Sequence, residues 1–291
     1  MDTAEILKKV RQIEIQTNKL VSETFAGEYL SAFKGQGIEF AEVREYTPGD
    51  DIRSIDWNVT ARTGIPYIKK YNEERELTLM IACDVSASQR FGSADKLKQE
   101  LAAELSALFA FSAIKNSDKV FSNQIELFVP PKKGKKHVLR LIRELVAFEP
   151  AGRGTDIGLC LETLSKVIKR QGILILISDF LAPVSSFSKP FKLAAKKFDL
   201  IPVVIQDKLE KFIPPVSACI DVTDPETGEE DFLCLSSGEL NVALAEHAEH
   251  QNINLRALFN PYKIEPIYVR TDQAPEDPAI EFFKQRAKKI R

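Results

Sequence analysis

Glu76–Asp84 reads ELTLMIACD, an unbroken apolar run that ends in a carboxylate. A strand of a parallel sheet is covered by helices on both faces, so its side chains are apolar at consecutive positions instead of alternate ones. The form recurs at Gly172–Asp179, GILILISD, and at Asp199–Asp207, DLIPVVIQD. Strands of this kind alternating with helices predict an α/β fold: a doubly wound, mostly parallel sheet flanked by helices, spanning residues 77–270.

The intervening segments carry the helical periodicity that such a fold needs. Leu97, Leu101, Leu105, Leu108, Phe109 and Ser112 form a helical stripe with Ser93 as its expected N-cap, Val138 to Phe148 reads as a second helix, and Ile157, Leu161, Leu164 and Ile168 mark a third. A hairpin is expected around Asp224–Glu230, a helix over Leu240–Leu258, a short strand over Lys263–Arg270 and a basic helix over Pro278–Ile290. Pro266 places that last strand near an edge or at a bulge.

At the other end of the chain, Ile6, Val10, Ile13, Leu20 and Val21 predict an amphipathic N-terminal helix. From Phe33 to Glu74 the pattern breaks into short extended pieces punctuated by glycine and proline, too loop-rich for a core of its own and expected to lie against the sheet domain. The chain therefore reads as an N-terminal region over 1–76, the α/β domain over 77–270 and a C-terminal helix over 271–291.

Composition narrows the function classes. Forty basic residues against 42 acidic give a formal charge of −2, so no net pull toward nucleic acid or an anionic membrane is expected. The first residues, MDTAEILKKVRQIEIQ, lack the apolar core of a secretory leader, and no stretch of about 18 apolar residues occurs. A cytoplasmic protein with no membrane insertion is expected. Cys83, Cys160, Cys219 and Cys234 have no metal-ligand spacing and read as reduced packing residues.

The chemistry is expected where the strands end, because ligands of a doubly wound sheet bind beyond the carboxyl ends of its strands, and Asp84 and Asp179 stand there. Asp84-Val85-Ser86-Ala87-Ser88 carries a carboxylate and two hydroxyls at alternate positions, so an extended turn points all three oxygens the same way. Thr155 follows Gly152-Arg153-Gly154, a backbone flexible enough to bring a further hydroxyl to the same place. Two carboxylates and three hydroxyls are hard oxygen donors that suit Mg²⁺ first, with Mn²⁺ or Ca²⁺ as alternatives.

Here the residues resemble something known. D-x-S-x-S, a threonine in a later loop and an aspartate ending a subsequent strand look like the metal-ion-dependent adhesion site (MIDAS) of von Willebrand factor A-type domains. GQGIEFAEVREYTPGDDIRSIDWNVTARTGIPYIKKYNEERE at 35–76 is similar to the hallmark segment of the bacterial family called domain of unknown function fifty-eight, which joins this segment to an A-type domain. The resemblance implies Asp84, Ser86 and Ser88 as principal ligands, Thr155 and Asp179 binding directly or through water, and an open position filled by the Asp or Glu of a client protein. It also implies a MoxR-type AAA+ ATPase as partner, in chaperone-like assembly or metal insertion. One departure stands out: 118–124 is shorter than the apolar strand the family places after its first helix.

These residues favour a non-catalytic interaction module over an enzyme. A general base is not in evidence, since His137, His247 and His250 all fall in predicted helices away from the strand ends. An Mg²⁺-dependent phosphoester hydrolase using Asp84 and Asp179 is the enzyme alternative, but Ser86 stands where such an enzyme places a second aspartate. A third reading, weak nucleic-acid binding through Lys132–Lys136, lacks interleaved aromatic residues, and a solvated turn explains the run better. The polar cluster Arg44, Tyr46, Asp50, Asp51, Arg53, Asp56, Trp57 and Arg62 reads equally as a docking surface and as an ion-pair network.

Overall fold

The computed structural model describes residues 8, 10–15, 17, 39–72, 78–93, 96–115, 119–124, 128–132, 134–147, 155–168, 172–224, 228–236 and 238–290. The expected loop 152–154, the hallmark residues 35–38 and 73–76, and most of the expected N-terminal helix lie outside them. The chain divides into two compact units, residues 33–77 and residues 1–32 with 78–291.

In the smaller unit, β1 (Glu39–Glu45) pairs antiparallel with β2 (Tyr67–Asn72). Between them lies α1 (Trp57–Thr63), a helix where only extended pieces are expected from the sequence. Its start is chemical: Asp56 accepts from the N–H groups of Asn58 and Val59, and Gly64 at φ 75° closes the last turn. Arg44 grips Asp50 with two nitrogens, at 3.0 and 2.7 Å, and holds its carboxyl down to about 2. Much of the polar cluster thus shapes this unit's own turns.

The larger unit is built on β3 (Thr78–Cys83), α2 (Lys98–Lys115), β4 (Lys119–Gln124), β5 (Phe128–Lys132), α3 (Lys135–Ala147), α4 (Ile157–Val167), β6 (Gly172–Ser178), α5 (Val184–Lys197) and β7 (Asp199–Gln206). A hairpin of β8 (Cys219–Thr223) and β9 (Glu230–Cys234) precedes α6 (Gly238–Phe259), β10 (Ile267–Arg270) and α7 (Glu276–Ile290). The sheet runs β10-β7-β6-β3-β4-β5, every neighbouring pair parallel except β4 with β5. Counted in chain order that is 3-2-1-4-5-6, the doubly wound order, whose switch point lies between β3 and β6.

Pleating explains the apolar runs. Met80, Ala82, Leu174, Leu176, Leu200 and Val204 point to one face, into a core shared with Leu161 of α4, Phe187 and Phe191 of α5 and Phe259 of α6. The alternate residues Leu79, Ile81, Ile173 and Ile175 are also almost fully buried and point to the opposite face. Each such side chain contributes about 1.5–3 kcal/mol by leaving water. The departure at 118–124 does not shorten the sheet: β4 pairs with β3 along its whole length, from Thr78↔Lys119 to Cys83↔Gln124. β10 is an edge strand starting directly after Pro266, as expected. The helix α5 is not anticipated, because Pro190 inside it breaks the sequence signal.

Two expectations need correction. Ser93 does not cap α2, which begins at Lys98; its N–H and hydroxyl donate instead to Asp207. Cys83 and Cys160 are buried free thiols, but Cys219 and Cys234 form a disulfide. They face each other in the β8–β9 register with Cα atoms 4.1 Å apart, a pairing that only the hairpin brings about. Of the N-terminal helix, Glu14 pairs with Lys135 at 2.6 Å, which accounts for part of the basic run at 132–136. Lys132 pairs with Val120, at the end of the sheet opposite to Asp84. Among the described residues no helix is long and apolar enough to cross a membrane.

Candidate metal centre

The register of the two central strands fixes the site. Cys83 stands opposite Ile177, so Asp84 leaves β3 beside Ser178, and its N–H donates to the Ile177 carbonyl at 2.8 Å. The carboxylate is then held at both oxygens: Oδ1 accepts from the Ser86 N–H at 2.9 Å and Oδ2 from the Ser178 hydroxyl at 2.7 Å. Beyond it the chain turns into a short 3-10 helix over Ala87–Arg90, which brings the Ser86 and Ser88 hydroxyls within 3.0 Å of each other. The alternate spacing read from D-x-S-x-S therefore does gather its oxygens. Asp84, Ser86, Ser88 and Asp179 are all buried, at 4–8% exposure.

Burial pushes the Asp84 carboxyl up to about 6, with the charge of Asp179 adding to the effect and hydrogen bonds from Ser178 and Ser86 opposing it. Both of its hydrogen-bond donors are neutral. A buried carboxylate in that position is an unpaid electrostatic cost, and a cation beside it relieves that cost.

Asp179 is already engaged. Lys98, at the start of α2, donates to Asp179 Oδ2 at 3.0 Å and also pairs with Glu210. The Lys98 side chain is 1% exposed, so burial alone lowers its affinity for a proton; Asp179 and Glu210 outweigh that and leave its pKa above the usual range. Burial raises Glu210, against the pull of Lys98. Such a pair holds only because each charge has partners, since removing one strands the others.

The turn after Asp179 is strained. Phe180 has φ 54°, a conformation that bulky residues rarely adopt, and it is fully buried. Its ring is fixed against Phe187 and Phe259, at 6.0 and 6.1 Å, and Gln251 of α6 donates to the Phe180 and Ala182 carbonyls at 2.6 and 3.2 Å. Strain held this firmly next to a site carboxylate fixes where the carboxylate points.

A third aspartate stands at the same edge of the sheet. Asp207, ending β7, is 1% exposed and accepts from Ser93 N and Oγ, Leu209 N and Thr271 Oγ1. Burial opposes its ionisation, but the donors together hold its carboxyl below the ordinary range. It ties the D-x-S-x-S loop to β7 and β10. The recurrence of Asp at the end of the third apolar strand is a signal that could have found it; Lys98 leaves no signal in the sequence, since one lysine in a helix's first turn resembles any other.

Thr155 lies half-buried just before Asp156, which caps α4 by accepting from the Leu159 N–H at 2.7 Å. Cys160 on that helix is within electrostatic reach of Asp84, and burial foremost, with the Asp84 charge, pushes its thiol up to about 12. Asp84, Ser86, Ser88 and Asp179 are thus gathered at the switch point, while Thr155 stands just before the Asp156 cap of α4.

The donor set fits a divalent cation with oxygen ligands. Among the described residues no three His, Cys, Asp or Glu side chains are arranged for a metal, so a cation here would rely on hydroxyls beside the carboxylates. Gln89, which follows Ser88, is 1% exposed and has neither amide atom hydrogen-bonded among the described residues. Orphaned buried amides are rare and mark places for water or a ligand.

The sequence model of the family described as Protein of unknown function DUF58 matches residues 42–253. The chain belongs to this family. Uncharacterized proteins of Mycobacterium bovis and Mycobacterium tuberculosis are 28% identical over 234 residues, covering 78% of this chain and 73% of theirs. Among solved structures, a von Willebrand factor type A protein from Catenulispora acidiphila is 13% identical at a TM-score of 0.39, covering 77% of this chain and 44% of that one. An aerotolerance-related membrane protein from Bacteroides fragilis is 14% identical at a TM-score of 0.41, covering 73% and 99%. The fold of this DUF58 chain rests on its own strand order.

Proposed function

We propose that this DUF58 chain is a non-catalytic, divalent-metal-dependent protein-interaction module of the cytoplasm. Asp84, Ser86 and Ser88 hold a cation, Mg²⁺ first, with Thr155 and Asp179 bound directly or through water. The observation that carries the reading is the meeting of Asp84 and Asp179 at the switch point with two hydroxyls beside Asp84, both of whose own hydrogen bonds come from neutral donors.

The bound cation supplies an electrophilic position that accepts a partner's carboxylate. The chain's own residues orient it: Ser178 and the Ser86 N–H fix the Asp84 carboxylate, and the Phe180 turn fixes Asp179. A groove of about 600 Å³ between α5 and α6 is lined by Leu181, Pro183, Val184, Lys192, His247 and Leu258, and none of the five candidate ligands lines it. The MoxR-type AAA+ ATPase as partner, and a client supplying an acidic side chain, rest on the family resemblance.

The test is calorimetric titration of Mg²⁺ and Mn²⁺ into the chain and into Asp84→Ala, followed by capture from native lysate with and without chelator. Saturable binding lost in Asp84→Ala, with an AAA+ ATPase released by chelator, is the expected result. Turnover of a phosphoester with Mg²⁺, abolished by Asp84→Ala, would replace this reading with the hydrolase.

A further inference from the structure

Lys98 begins α2, where nothing about helix formation asks for a buried lysine. Its ammonium is nonetheless enclosed, 1% exposed, with Asp179 on one side and Glu210 on the other. Each end of this bridge is anchored separately. Asp179 follows β6 and its Oδ1 accepts from the Leu181 N–H at 3.3 Å, leaving Oδ2 to Lys98. Glu210 closes the turn after β7, its Oε2 accepting from the Asp207 N–H at 2.9 Å, and it turns its other oxygen to Lys98. The ammonium therefore sits in a prepared place, against one of the two carboxylates that would serve a metal.

We propose that Lys98 is an internal counter-ion that competes with a divalent cation for Asp179, so that the site binds metal weakly and gives it up readily. This rests on the metal reading above. An ammonium on one oxygen of a carboxylate leaves less negative charge for a second cation, and at the short separations of such a site each unit of charge changes an affinity by at least about tenfold. Lys98 thus tunes affinity without being a ligand. A merely structural lysine, stapling the turn at 208–210 to Asp179, predicts the opposite: its removal loosens Asp179 and weakens metal binding.

The experiment is calorimetric titration of Mn²⁺ into the full chain, Lys98→Met, Asp84→Ala, and the double variant Lys98→Met with Asp84→Ala. Lys98→Met is expected to bind Mn²⁺ at least about tenfold more tightly than the unaltered chain, and to lose binding when Asp84 is also replaced. Since removing Lys98 strands two carboxylates, the same comparison is made in Glu210→Gln, where adding Lys98→Met should again tighten binding about tenfold. Equal or weaker affinity without Lys98, while Asp84→Ala abolishes binding, overturns the counter-ion role and leaves the metal site standing. Binding in neither the unaltered chain nor Lys98→Met, or binding that survives loss of Asp84, overturns both.

Discussion

Lys98 Nζ stands 3.0 Å from Asp179 Oδ2 with neither side chain more than 2% exposed, so the second carboxylate of the candidate site is already half of an ion pair. Asp84, one strand away, receives only neutral hydrogen bonds. The two aspartates are therefore unequal: Asp84 carries the charge that lacks a counter-ion, and its substitution has the sharpest consequences.

The first consequence is for stability. The folded chain raises the Asp84 carboxyl from 3.8 to about 6, so between those values it holds a proton that the unfolded chain has released. The ionised group costs stability fully above pH 6, and that cost disappears as pH falls toward 3.8. Asp84→Asn should melt higher than the unaltered chain at pH 7.5 in chelator, and the gap should narrow at pH 5. Thermal melts at the two pH values check this.

Gln89 should respond in opposite senses with and without metal. Its orphaned amide costs about 1–3 kcal/mol when nothing meets it, so Gln89→Met should be more stable by roughly that amount in chelator. If the amide faces a bound cation or its water, the same variant should bind Mn²⁺ several-fold more weakly. Denaturant unfolding and calorimetry read the two effects.

Asp207 holds four donors from three separate segments. Asp207→Ala leaves the buried Thr271 hydroxyl and the more accessible Ser93 and Leu209 donors without that acceptor, and a loss of about 1–3 kcal/mol is expected by urea unfolding. Asp207→Asn keeps an acceptor and should lose less.

The Cys219–Cys234 disulfide closes an exposed hairpin that forms a two-stranded sheet of its own, apart from the six-stranded one. Reduction, the state a cytoplasmic setting favours, should leave Mn²⁺ affinity unchanged within error. Free-thiol labelling should rise by two per chain.

Much of the architecture is legible in the sequence because parallel strands leave an unmistakable trace: ELTLMIACD and GILILISD are apolar at consecutive positions, and the carboxylate ending each run marks the switch point. D-x-S-x-S is legible for a related reason, since its oxygens follow from local spacing. What the sequence hides is non-local. Lys98 matters through Asp179 and Glu210, 81 and 112 residues away in the chain, and no periodicity records that. The Cys219–Cys234 pairing depends on a hairpin register, and α5 is obscured by Pro190, which stands in the middle of the helix. α1 is hidden by the short polar run around it, although Asp56 and Gly64 bracket it with ordinary capping chemistry.

The central claim is that a divalent cation sits at the end of β3. Crystals grown with Mn²⁺ and measured at its absorption edge test it directly. The account predicts one strong anomalous peak about 2.1–2.3 Å from the Ser86 and Ser88 hydroxyl oxygens and beside Asp84, missing in Asp84→Ala. A fully ordered site with no peak, or a peak elsewhere on the chain, would contradict it.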